Sequence, residues 1–109
     1  MAARRGEVVM DKTKVNWSEY YRQREEVSGG ITPHPLVDVS NERIRQLKLW
    51  GEQNHDPKTW LGILTEEVGE VAREINDNGP GTAHYRKELI QVAAVAVAAV
   101  EALDRATAS

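Results

Sequence analysis

Three glutamates stand within five residues, Glu66-Glu67-Val68-Gly69-Glu70. On a helix, positions three and four apart are neighbours on one face, so Glu67 and Glu70, and Glu66 and Glu70, repel each other there. Such a set is tolerated in open water or against a cation. A second oxygen-bearing pair, Glu88 and Gln91, is also three apart. Carboxylate and amide oxygens are hard donors that suit Mg²⁺ or Mn²⁺. The chain has no cysteine, which excludes thiolate metal sites and disulfides. Acidic pairs at helical spacing are also common on solvated faces, so the decisive question is what positions these two sets.

Asp56-Pro57 is a strong helix start, with Asp as N-cap and Pro at the first helical position. That helix is expected to run to about Asn76 or Asn78, where Gly79-Pro80-Gly81 forces a turn. Thr82 can cap a last helix that runs to about Arg105. Taking Pro80 as the turn, Glu70 lies ten residues before it and Glu88 eight after, or about 15 and 12 Å along the two axes. Glu67 and Gln91 lie at about 20 and 17 Å. Antiparallel packing therefore sets Glu70 level with Glu88 and Glu67 level with Gln91. Glu67 shares a stripe with Trp60, Leu64, Val71 and Ile75, and Gln91 one with Val95, Ala98 and Ala102, so both sets are expected in the seam between the helices. Buried carboxylates without a cation are costly.

Upstream, Trp17 to Val27 has helical composition, with Trp17, Tyr20, Tyr21 and Arg24 at helical spacing, and Ser28-Gly29-Gly30 stops it. Thr32-Pro33-His34-Pro35 is expected to be extended, because each Pro pushes its predecessor out of the α region. Asp38 or Ser40 can cap a helix from about Asn41 to Glu52, with Ile44, Leu47 and Trp50 on its apolar face and Arg43, Arg45 and Lys48 on the other. No strand pattern is present. The expectation is an all-α, antiparallel helical bundle with a central helical hairpin. Residues 1–40 form an N-terminal extension with a short helix, and 41–109 form the helical domain. From Val92 to Val100 every residue is Val or Ala. A helix apolar all round must be covered all round, and so short a chain has few helices to do it, so a homodimer or homotetramer is expected to complete the bundle.

With 109 residues the chain is one small domain with a modest core. Its formal net charge of −3 argues against non-specific nucleic-acid binding. The N-terminus has basic residues but no long apolar stretch, so it does not read as a secretory signal, and Met10 is an alternative start. The Val92–Val100 run is too short to cross a bilayer, which takes about 20 residues. No membrane partner and a cytoplasmic location are the expectations.

The stretch from Trp50-Gly-Glu-Gln-Asn-His55 through Leu64-Thr-Glu-Glu-Val-Gly-Glu-Val71 to Lys87-Glu-Leu-Ile-Gln-Val-Ala-Ala94 resembles the MazG-like, all-α nucleoside triphosphate pyrophosphohydrolases. Their signature is EExxE followed, after a short loop, by ExxD. The resemblance covers about residues 41–105. It implies cleavage of a nucleoside triphosphate, (d)NTP to (d)NMP and pyrophosphate, by Mg²⁺ held on the carboxylates of two helices. It further implies dimers or tetramers with sites near subunit contacts, and nucleotide-pool house-cleaning as the role. By motif position Glu67, Glu70 and Glu88 match metal ligands. Glu66 is the leading acid and candidate to orient or deprotonate water. Gln91 stands where the family has Asp, so the ligand there is neutral. Glu74, one turn beyond Glu70, is a further acid that can partly make up the missing charge.

The triphosphate needs cations, and Lys48, Arg86 and Lys87 lie near the motifs. A base pocket should be apolar with a few polar groups, which Trp50, Gln53, Asn54 and Trp60 provide; His55 reads as a loop hydrogen-bonder. Two other classes stand beside this reading. One is a non-catalytic helical interaction module of the same fold, which Gln91 would suit. The other is a carboxylate-bridged di-iron bundle, which usually draws a Glu-x-x-His pair from each of two helices; this chain has a single one, Glu52-Gln53-Asn54-His55, running into a loop.

Overall fold

The computed structural model describes residues 16–28 and 34–108, without the side chains of residues 24, 27 and 28. The expectations for residues 1–15, for the stop at Gly29-Gly30, for Thr32-Pro33 and for the Arg24 side chain lie outside the described residues. Four helices are present: α1 Trp17–Ser28, α2 Pro35–Trp50, α3 Pro57–Asn78 and α4 Ala83–Ala108. Among the described residues there is no strand, so the chain is all-α. No helix among them is long and apolar enough to cross a membrane.

The described residues fall into two units, α1 in one and everything from His34 onward in the other. Asn16 caps α1, its Oδ1 accepting the Glu19 N–H at 3.0 Å. Within α1, Trp17 stacks on Tyr21 and meets Tyr20 edge-on, and Arg22 pairs with Glu19 and Glu26.

In the second unit, Asp56 caps α3 by accepting the Thr59 N–H at 2.8 Å, with Pro57 following. Thr82 Oγ1 accepts the Tyr85 N–H at 3.0 Å and starts α4. Gly51 and Gly79 end α2 and α3 at φ 71° and 78° with ψ near ±170°. That corner of backbone space is open to glycine and strained for other residues. One boundary differs from expectation. α2 begins at Pro35, with His34 extended ahead of it, so Asp38 and Ser40 lie inside the helix and do not cap it. A proline at the first helical position is the start signal that decided this.

α4 is the axis of this unit: α3 and α2 each pack on it. α3 folds back antiparallel through the turn at 79–82. α2 runs alongside in parallel, with Asp38 bonded to Arg86 at 2.6 Å near the helix starts and Arg105 bonded to Asn54 and the Gln53 carbonyl at the far end. The core is small: Trp60, Val95, Ala98 and Ala102, flanked by Ile63, Leu64 and Ala99.

One packing expectation is corrected. The side of α2 turned inward is polar, not apolar. Val39 and Gln46 are buried, whereas Ile44, Leu47, Leu49 and Trp50 are exposed. Arg43, expected on the solvent face, is mostly buried and bonds Glu101 at 2.7 Å and Gln46 at 2.8 Å. Three charged or amide groups that satisfy one another hold that side against α4 in place of an apolar stripe. The Val92–Val100 run is covered by α2 and α3 on part of its circumference. Ala94, Val95 and Ala98 are buried, while Val97 and Val100 are exposed.

Ala94 is 0% exposed, so the helices around it leave no room for a larger side chain. Ala94→Leu should lower unfolding stability by about 1–3 kcal/mol through overpacking. Urea denaturation followed by circular dichroism measures it; an unchanged midpoint would show that the neighbouring helices are free to separate.

Candidate functional site

Glu67 is half-buried on the α3 face that looks toward α4. Its carboxyl is held above the ordinary carboxylate range, first by burial and then by the negative charges of Glu88, Glu70, Glu66 and Glu42. Every charge that acts on it is another carboxylate. Among the described residues no lysine or arginine pairs with Glu67, Glu66 or Glu88. Glu70 is bonded to Arg73 of its own helix, at 3.3 Å and with 45% of its side chain exposed, a pair that solvent weakens. α3 and α4 therefore bring the acids of the two sequence elements into one electrostatic cluster. As they stand, no three carboxylate or imidazole groups among the described residues are drawn close enough to hold an ion.

One member of the cluster was not expected from the sequence. Glu42 lies on α2, outside the α3–α4 hairpin, and only 11% of its side chain is exposed. It accepts two bonds from Arg45, at 2.7 and 2.8 Å, and one from Gln46 at 3.1 Å. These bonds, Arg45's foremost, hold its carboxyl below the ordinary range. The signal that would have found it is an acid with Arg and Gln three and four residues on; placing the helix start at Asn41 left Glu42 at a helix end.

Beside the cluster lies a cleft of about 220 Å³. Glu67 and Gln91 line it together with Trp50, Trp60, Gln46 and Gln53. Gln91 and Glu67 thus face the same space, as counting from the turn places them. Trp60 is buried, meets His55 edge-on at 4.9 Å, and keeps an indole N–H with no partner among the described residues. Trp50 is 58% exposed at the rim.

The remaining candidates are dispersed. Asn54 lies away from this cleft, on the far side of the Trp60 end, bonded to Arg105. Arg86 is engaged by Asp38, and Lys48 and Lys87 are exposed. Glu74 takes no part in the cluster: its Oε1 accepts from Thr82 at 2.9 Å and ties the α3–α4 turn. A larger apolar groove of about 570 Å³ runs along the opposite side of α3 and α4, between Leu61, Leu64, Ala96, Val100 and Leu103.

No family model matches the chain, and no curated protein or solved structure matches it.

The raised Glu67 carboxyl fixes a sign. A carboxyl whose folded value lies above its unfolded value stabilises the fold only while protonated, so the metal-free protein loses stability as pH rises through that window. Glu67→Gln removes the effect. The variant should melt higher than wild type at pH 7 in EDTA, and the gain should shrink as pH falls toward the ordinary carboxylate value of about 4.3. Melting curves at a series of pH values test this; a gain that grows in acid would place Glu67 in a favourable bond instead.

Proposed function

We propose that this chain is a Mg²⁺-dependent nucleoside triphosphate pyrophosphohydrolase of the MazG-like kind. The observation that carries the reading is the set of carboxylates crowded on Glu67, with no lysine or arginine among the described residues paired to Glu67, Glu66 or Glu88, beside a cleft walled by two tryptophans and three glutamines. The donor chemistry fits a hard divalent cation, since every group is an oxygen ligand and the charge is negative. Glu67, Glu70 and Glu88 would hold it, with Gln91 as a neutral oxygen. When bound, Mg²⁺ offsets the charge of the triphosphate, polarises phosphoryl oxygens and lowers the pKa of a bound water.

The chain's own groups do the rest. Glu66, exposed on the same helix, orients the water that cleaves the α–β anhydride and takes its proton. Trp50 and Trp60 present flat apolar surface to a base, and Gln53 offers its amide to the polar edge. Lys48 and Lys87, in no ion pair among the described residues, face the phosphate charge more readily than Arg86, which Asp38 already holds. A second copy covers the open side of the hairpin. Leu61, Val100 and Leu103 are 64%, 55% and 58% exposed along one groove, more contiguous apolar surface than a lone chain usually leaves in water. Two such faces packed together make a four-helix arrangement.

A second reading, a helical interaction module without catalysis, is favoured by Gln91 in place of an acid and by the absence of a closed ion cage among the described residues. Turnover separates the two. With Mg²⁺, a panel of NTPs and dNTPs should yield pyrophosphate and a monophosphate for at least one member; release of inorganic phosphate and a diphosphate rejects the reaction class, and no release across the panel favours the module. Glu67→Gln, Glu70→Gln and Glu88→Gln should each lower turnover by roughly 100-fold or more with the fold kept. Val100→Glu should leave the helical signal intact but shift light scattering from oligomer to monomer, because the charge lies in the contact. A wild type that is monomeric at micromolar concentration would remove the second copy from the proposal.

A further inference from the structure

We propose that Arg105, near the end of α4, is a positioning residue for the nucleobase: it holds the backbone of Gln53 so that the Gln53 amide stands in the wall of the cleft. The inference rests on the reading of that cleft as a nucleotide site. Its starting point is how the loop 51–56 is held. α2 and α3 each pack on α4 and not on each other, so no contact between those two helices can fix the loop that joins them. A loop also has backbone groups that no helix satisfies.

Arg105 supplies the anchor. Its Nη2 donates to the Gln53 carbonyl at 3.0 Å and its Nε to Asn54 Oδ1 at 2.8 Å. Glu52 stands 3.1 Å from the same Nε, and Asn54 donates in turn to Glu52 at 3.3 Å. One guanidinium thus holds three consecutive loop residues. Its planar fork makes this possible, because the N–H groups point in fixed directions, which those of an ammonium do not. With 59% of the Glu52 side chain exposed, the ion pair counts for little; the bonds to Gln53 and Asn54 do the holding.

Gln53 is the residue of this loop that lines the cleft, and Arg105 does not line it. The three glutamines there are not equally free. Gln46 is buried, its oxygen accepting from Arg43 and its nitrogen donating to Glu42. Gln91 is the candidate metal ligand beside Glu67. Gln53 is held through its main-chain carbonyl, and among the described residues no bond engages its side chain. Its amide is therefore the one left to meet a base, whose edge can pair with an N–H and a C=O side by side. A held carbonyl fixes the peptide plane, and with it the direction in which the Gln53 side chain leaves the backbone.

The test compares ligands with and without a base. The α,β-methylene analogues of ATP, GTP, CTP and UTP, whose α–β bridge resists hydrolysis, and inorganic tripolyphosphate are each titrated by calorimetry with Mg²⁺ present. Arg105→Met keeps the side-chain length and removes the fork. It should weaken the best-bound analogue about 10-fold, the scale of one hydrogen bond, and leave tripolyphosphate binding unchanged. Arg105→Lys keeps the charge without the fork and should lose as much; it also serves if the methionine variant unfolds. Gln53→Ala should show the same loss. The double variant, Arg105→Met with Gln53→Ala, should bind no more weakly than either single one, because Arg105 acts through Gln53.

Equal weakening of tripolyphosphate would mean that Arg105 acts on the phosphates or on the fold as a whole. Full binding by Arg105→Lys would mean that it acts by charge alone, and multiplying losses in the double variant that it acts by a route other than Gln53. Unchanged analogue binding in Arg105→Met would mean that the loop keeps its shape unaided. Each of these results overturns the proposal. A wild type that binds tripolyphosphate as tightly as every analogue has no base site, which overturns this inference and leaves the metal and phosphate site standing. A wild type that binds none of the five overturns both.

Discussion

Small side chains on α4 let two other helices come close to it. Ala94, Ala98 and Ala102 are buried on that helix with Val95 among them, and Trp60, Ile63 and Leu64 of α3 pack against this small-residue stripe. Close approach is what brings Glu42, Glu67 and Gln91, from three different helices, into one neighbourhood. Bulky residues in the same stripe would hold the helices further apart, and the carboxylates would sit in open water at ordinary pKa. The cost of this choice is a small apolar core. The structure offsets it with side-chain bonds across the helices: Arg43 to Glu101, Arg86 to Asp38, and Arg105 to the Glu52–Asn54 loop. The last of these ties the loop at one end of the cleft to the end of α4.

The two acids nearest the centre of the cluster are tuned in opposite directions by their surroundings. Glu42 and Glu67 are both largely or partly buried acids facing α4, yet one is held below and the other above the ordinary range. The difference is in the partners. Glu42 has Arg45 and Gln46 donating to it, whereas Glu67 has burial and four negative neighbours. A cluster in which one acid is satisfied and the next is not has a directed demand for positive charge, located at Glu67. That is a stronger statement than the presence of acidic residues, which a solvated helix face would also show.

Much of α3 and α4 was legible in the sequence, because their ends carry local chemistry: Asp56 before Pro57, Gly79 at the turn, Thr82 as cap. Once the turn is placed, helical rise alone sets Glu67 across from Gln91. α2 was read less well. Ile44, Leu47 and Trp50 recur at helical spacing and imply an apolar inner face, yet α2 turns Val39, Arg43 and Gln46 toward α4 and leaves those three exposed. Periodicity reports that a helix has an apolar side; it does not say whether that side meets its own chain or something else. Glu42 was missed for the same reason, since a polar inner face is invisible to a search for apolar ones. Arg86 and Glu74, which sequence proximity placed near the motifs, are occupied by partners that only the packing reveals, Asp38 and Thr82.

The open apolar groove and the crowded acids follow from one limitation, the number of helices. In the second unit α2 covers one flank of α4 and α3 another, and nothing in that unit is left for the flank carrying Val97 and Val100. The acids lie toward the α2 side, where Gln46 and Glu42 reach them; the groove lies on the other side of the α3–α4 pair, at Leu61 and Leu103. Trp60 and Val95 are common to both, and Trp60 is the larger of the two. A contact made in the groove therefore bears on the same indole that walls the cleft. On the proposed reading, burial of the groove by a second copy would fix the Trp60 ring and with it the wall against which a base rests. Assembly and substrate binding would then be coupled through packing alone, with no movement of the helices required.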